Sequence, residues 1–254
     1  MSPRNILEVI EAYNKIDYVD KYWIKYHTER EALMETTRFF KEHTEYTHLI
    51  LTGDDTVPNY DVVAKLIADF NAHPEIEVIS AIIGLDYFTK NNTLSLTIEP
   101  VINEEIARTV PSGYYRRLPY VFTSTQGLIR VWYQGFAFTM MARHILELIG
   151  LKTWLNNTTE WASDLKFAFD CWKAGIPQYV DLRTFMWHRQ RRGESDTEYE
   201  ILNRGRKGTK KFTKLVLSSA SIPKEEPAKI LSKEDLEIPM KIYNAQYHLE
   251  NRKV

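Results

Sequence analysis

The chain has 254 residues, 44% of them hydrophobic and 26% charged, values that suit a soluble globular protein with a sizeable core. Its 33 Lys and Arg offset 34 Asp and Glu to a net charge of −1, which argues against a dedicated nucleic-acid binder. A single cysteine, Cys171, excludes an intramolecular disulfide and every multi-cysteine metal site. No secretion signal and no apolar run of roughly 18 to 20 residues stands out. A cytoplasmic location is therefore expected, with peripheral membrane contact left open.

Taken in chain order, Ile6, Leu7, Val9, Ile10 and Tyr13 recur at helical spacing and predict a helix over residues 3–14. Residues 18–27 are aromatic and β-branched and predict a strand. Thr28, with Glu31 as its capping-box partner, opens a helix to about His43. Residues 47–52 form a short apolar run, read as a buried strand and stopped by Gly53-Asp54-Asp55. A helix over 60–71 and a buried strand over 76–83 follow. This alternation of strand and helix predicts a three-layer α/β/α sheet.

From Leu94 to Ala142 several strands are predicted, among them 94–98, 120–124 and 128–133, with turns at Pro111-Ser112-Gly113 and Gln126-Gly127. Helices are predicted over 143–149 and 163–174. The second starts at Ser163 or Asp164 and is stopped by Gly175 and Pro177. Residues 178–188 read as extended, residues 189–211 as a mobile basic loop, and the stretch from Ser232 as a helical packing arm.

Asp54 and Asp55 close a predicted strand, where ligands gather in open α/β sheets. Two carboxylates there offer hard oxygen ligands to Mg²⁺ or Mn²⁺. Turn chemistry accounts for the same residues, with Asn59 as a cap for the next helix. The second constellation runs from Ser163-Asp164 through Phe167 and Gly175 to Phe185-Met186-Trp187-His188.

These landmarks, in this order over residues 47–188, resemble glycosyltransferases of the GT-A fold, most closely the large family-2 type. Asp164 stands at the second acid of the family's acidic pair, Phe167 at its following Leu, Gly175 at its Gly and His188 at its His. Residues 47–58 are similar to the strand that ends in Asp-x-Asp with a trailing Pro. Gln134-Gly135-Phe136-Ala137-Phe138 and Arg143 look like the acceptor-side segment.

The resemblance implies a GT-A catalytic unit over 1–188, with a donor half (1–92), an acceptor half (93–188) and a mixed, mainly parallel sheet. Residues 189–254 would then be the basic loop and the arm. It implies a nucleotide-sugar donor, a glycan, protein or lipid hydroxyl as acceptor, and Mn²⁺ or Mg²⁺ held by Asp54, Asp55 and His188. Asp164 would be the base of an inverting transfer, with Glu160 in reserve. Gly53, Arg30, Arg191 and Arg192 would contact the donor, and Trp132, Tyr133, Gly135 and Phe136 the acceptor. No nucleic-acid partner is expected, and oligomeric state is unread.

The sequence departs from the family at three points. Gly53 stands where many relatives have the first Asp, and Ser163 replaces the first acid of the pair. The usual first strand is absent, so the sheet must be completed differently. Each role has a structural rival: Asp164 as a helix cap, His188 as a packed histidine, Phe136 and Phe138 as core, and Cys171 as a small buried hydrophobe. Arg189, Arg191, Arg192, Arg204, Arg206, Lys207, Lys210 and Lys211 make a basic cluster, read either as a loop over donor phosphates or as a solvated surface. A retaining transferase, a sugar nucleotidyltransferase and a nucleic-acid binder using residues 189–211 are the alternatives.

Overall fold

The computed structural model describes residues 11–25, 29–52, 56–85, 93–94, 96–98, 125–136, 138–156, 159–161, 163–188, 209–215 and 222–251. The predicted first helix is seen at its end, where residues 11–15 are helical. There follow β1 (Asp20–Lys25), α1 (Glu29–Glu42), β2 (His48–Thr52), β3 (Thr56–Val57), α2 (Val62–Ala72) and β4 (Val78–Leu85). The middle of the chain supplies β5 (Thr93–Leu94), β6 (Leu96–Thr97), β7 (Leu128–Val131), β8 (Tyr133–Gln134), β9 (Phe138–Ala142) and α3 (Arg143–Leu148). The chain continues through β10 (Trp154–Asn156), β11 (Thr159–Trp161), α4 (Ser163–Ala174), β12 (Gln178–His188), β13 (Thr209–Leu215) and α5 (Glu237–Asn251).

The fold is mixed α/β, and its principal sheet runs in the order β1-β13-β2-β9-β4-β12-β3, with β5 on β4 and β7 on β12. The expectation of a mainly parallel sheet is corrected. Among the described strands of this sheet only β4 and β12 pair in parallel; the other pairings are antiparallel. The pairing directions explain why. β1, β2, β4 and β12 share one direction, as helix-linked strands do. Between them lie two strands of opposite direction, β13 separating β1 from β2 and β9 separating β2 from β4.

β13 also corrects the reading of residues 189–211 as one loop. Residues 209–211 already belong to a strand, and Lys210 and Lys211 register with Ile24 and Trp23 of β1. This late segment lies inside the sheet, between β1 and β2. Residues 189–208 lie outside the described residues.

Alternation along the strands separates two cores. Ile50, Ile79, Phe138 and Met140 face one way and pack with Tyr13, Ile16, Val63, Leu66 and Ile67. Leu49, Leu51, Val78 and Met141 face the other way, with Leu33 and Phe40 of α1 and Phe167 and Cys171 of α4. Burial pushes the Cys171 thiol far above its ordinary range, so this cysteine is core filling rather than a reactive group.

Arg143 has a structural task. Its guanidinium donates to the carbonyls of Phe40 (2.8 Å), His43 (2.5 Å) and Tyr46 (2.7 Å) and lies 4.0 Å from the centre of the Phe40 ring. It therefore satisfies orphan carbonyls around the end of α1 with a favourable charge.

The C-terminal segment is bound into the core. Leu128 N–H donates to Lys229 O (2.8 Å) and Leu231 N–H returns to Leu128 O (2.9 Å). Leu231, Leu236 and Met240 cover Ile82, Ile129, Val131, Val180 and Leu182. Gly127 permits this approach, because at its φ of +137° a Cβ would stand 2.7 Å from Lys229 O.

A buried ionic cluster secures the same segment. Arg183 spans Asp69 (Nη2 to Oδ1, 2.9 Å) and Asp181 (Nε to Oδ1, 3.0 Å), and its Nη1 donates to Glu226 O at 2.6 Å. Asp69 and Asp181 are both fully buried. Ala228 N–H donates to Asp69 Oδ1 at 2.6 Å, and the His73 ring meets Ala228 O at 2.7 Å.

Candidate functional site

The directions of β1, β2, β4 and β12 gather several sequence landmarks at one sheet edge. β1 ends there and leads into α1, whose second residue, the exposed Arg30, is in the first turn. β2 ends there at Thr52, immediately before Gly53, Asp54 and Asp55. Those three residues lie outside the described residues, but the chain on either side of them is described. β3 begins at Thr56 and pairs with the end of β12, so that Thr56 registers with His188 and Val57 with Trp187. The acidic pair thus directly precedes a residue held opposite His188. The side chain of His188 is not among those described, and neither are Arg191 and Arg192.

Thr56 is a feature that motif reasoning missed. It is fully buried, and its Oγ1 has no hydrogen-bond partner among the described residues. A buried hydroxyl left unsatisfied costs about 1–3 kcal/mol, which makes this oxygen a candidate ligand contact. Gln134, 2% exposed, is in the same position with both of its amide atoms. Neither residue carries a sequence signal, since the pairing of a side chain is a tertiary property.

α4 begins at Ser163 as expected and ends at Ala174. Gly175, at φ +73°, closes it: Ile176 N–H donates to Cys171 O (2.9 Å) and Gly175 N–H to Trp172 O (3.1 Å). That pair of bonds is the Schellman stop that Gly175 predicted. The turn leads into β12, which ends at His188.

Asp164 is half-buried in the first turn of α4. Its Oδ1 accepts Leu165 N–H at 2.8 Å and its Oδ2 accepts the Tyr133 hydroxyl at 2.9 Å. A bond within the first turn and a cross-element bond therefore coexist on one carboxylate.

The acceptor-side residues divide. Trp132 is only 4% exposed, so its ring faces protein rather than an open surface. Tyr133 is half-buried and meets Asp164 through its hydroxyl. Gly135 is buried, its carbonyl accepting Thr139 Oγ1 at 3.2 Å. Phe136 packs edge-on against Phe167 of α4 at 5.2 Å between ring centres. Glu160, the reserve base, registers with Leu155 in the β10–β11 hairpin, a unit the sequence reading did not anticipate.

Among the described residues no group of three or more His, Cys, Asp or Glu side chains is arranged to hold a metal ion. Among those residues, too, no helix is long and apolar enough to cross a membrane.

No protein-family model and no curated protein matches the chain. Among solved structures it is similar to A197 from STIV, with a TM-score of 0.41 and 18% identity over 65% of this chain and 70% of that one. A likeness of that size transfers neither fold class nor function.

Proposed function

We propose that this chain is a metal-dependent glycosyltransferase that moves a sugar from a nucleotide-diphosphate donor to a hydroxyl acceptor, in a GT-A-type layered fold. The observation that carries the reading is the register of Thr56 against His188. It brings the chain leaving the acidic pair to the end of the strand that returns from Asp164's helix.

Asp54, Asp55 and His188 are the residues that would hold Mn²⁺ or Mg²⁺, and carboxylate with imidazole suits Mn²⁺ well. The orphaned Thr56 hydroxyl supports the fit, being one more oxygen at that edge in need of a partner. When bound, the ion would neutralise charge on the departing nucleoside diphosphate.

The chain's own groups do the rest. Arg30, at the start of α1, and Arg191 and Arg192, which follow His188 in sequence, contribute positive charge toward donor phosphates. Gly53 allows close approach of backbone to the donor. Asp164 takes the proton from the acceptor hydroxyl as its oxygen attacks the anomeric carbon, and a single attack opposite the leaving group inverts that centre.

Asp55→Ala tests the donor side. Titration of a panel of nucleotide sugars in the presence of Mn²⁺ is expected to show at least about tenfold weaker donor binding than the unsubstituted chain, the loss of about 1.4 kcal/mol. Equal affinity with and without the Asp55 carboxylate, or with and without the metal, would sink the assignment of the acidic pair.

A further inference from the structure

We infer that Tyr133 is the positioning residue of Asp164, fixing the direction of its carboxylate. The inference rests on the reading of Asp164 as proton acceptor and adds a role for Tyr133 different from ring stacking on an acceptor. The geometry begins with the strand that carries it. β8 is tied on several sides: Tyr133 registers with Thr97 of β6, Gln178 Nε2 donates to Trp132 O at 2.7 Å, and Thr139 Oγ1 donates to Gly135 O at 3.2 Å. Phe136 then packs on Phe167 of the helix that bears Asp164. The hydroxyl of Tyr133 is thus presented to α4 from a fixed frame.

On the other side of the bond, Leu165 N–H takes Oδ1 at 2.8 Å while Tyr133 takes Oδ2 at 2.9 Å. One donor on each oxygen removes rotation about the carboxyl axis. A carboxylate oxygen has two lone pairs, so accepting one of these donors does not exhaust it. A donor to the charged form also favours that form. On α4, Lys166 pairs with Asp170, and Glu160 lies on β11. From β8 the ionisable group meeting Asp164 is Tyr133 itself.

The test is a carboxyl-carbon NMR titration of Asp164 in the full chain and in Tyr133→Phe, with the resonance assigned through Asp164→Asn. Steady-state kinetics accompany it on the donor found to turn over. Loss of the hydroxyl is expected to raise the Asp164 midpoint by about 0.5–1 pH unit. It should lower kcat about tenfold while KM for the donor holds. An unmoved midpoint overturns the inference, and so does a moved midpoint with unchanged kcat. A thermal double-mutant cycle of Tyr133→Phe with Asp164→Asn guards against a folding artefact, and absence of coupling between the two also overturns it. The titration needs no substrate. A chain that shows the shift but turns over no donor therefore refutes the transferase reading, whereas an active enzyme without the shift refutes Tyr133's role.

Discussion

Arg183→Met is expected to destabilise the protein by about 3–5 kcal/mol at pH 7, the cost of removing the cation from a buried ion cluster. Methionine keeps much of the length and apolar stem, so the loss reports the guanidinium rather than a cavity. Without it the fully buried Asp69 and Asp181 face each other with no cation between them. Asp69 would retain the Ala228 N–H as a donor, but one amide does not offset two carboxylates. Urea unfolding of the two proteins measures the difference.

The pH dependence of that loss has a definite sign. Burial pushes the Asp69 carboxyl up to about 6, the Asp181 charge adding to the rise while Ala228 N–H and Arg183 oppose it. A carboxyl whose folded-state value is raised makes the native state bind more protons than the unfolded chain. Its contribution to stability therefore falls as pH rises from about 4 to about 6 and is flat above. Removing Arg183 raises the carboxyl further, so the deficit of Arg183→Met should be smaller at pH 5 than at pH 7. An equal deficit at both would show that the cluster does not carry the loss. The segment around Ala228 should also become more open to limited proteolysis, since Arg183 and Asp69 both hold it.

Asp164→Asn is expected to lower the turnover number by about 10²–10⁴-fold, the usual contribution of a positioned general base, with donor affinity unchanged. The substitution is nearly isosteric. An Asn side-chain oxygen still accepts Leu165 N–H, so α4 keeps its start, and the thermal midpoint should move little. A fall in donor binding with turnover preserved would reverse the roles assigned to Asp164 and Asp55. Full activity of Asp164→Asn would shift attention to Glu160.

Local chemistry was legible in the sequence wherever a few neighbouring residues decide it. The bounds of α4 and β12 were read correctly because Ser163-Asp164 and Gly175 act on their own turns. The shared direction of β1, β2 and β4 follows from their alternation with helices. Adjacency does not, since periodicity fixes which face a strand buries and never which strand lies beside it. That is why β9 and β13, inserted between helix-linked strands, turn neighbouring pairs antiparallel. β13 was hidden further by composition: Thr209-Lys210-Lys211 closes the stretch that reads as a basic loop, yet residues 211–215 register with Thr52 to His48 along β2.

The candidate site divides in the same way. The place of Asp164 at a helix start was legible, and its hydrogen bond to Tyr133 was not, because that bond joins residues 31 apart. Trp132 reads as a ring for stacking on an acceptor, yet it is only 4% exposed. Arg143 resembled a member of the acceptor-side segment, while its guanidinium is spent on the carbonyls that end α1. Thr56 and Gln134 left no trace in the sequence at all, for an orphaned polar atom is defined by what surrounds it.

The central claim is that the edge joining Thr56 to His188, together with Asp164, transfers a sugar from a nucleotide donor. It is tested most directly by incubating the full chain with a panel of nucleoside-diphosphate sugars and Mn²⁺ or Mg²⁺ and following the nucleoside diphosphate released. Slow donor hydrolysis, dependent on the metal and abolished by Asp55→Ala, is the predicted result even without an acceptor. Absence of both binding and turnover for every donor in the panel would contradict it.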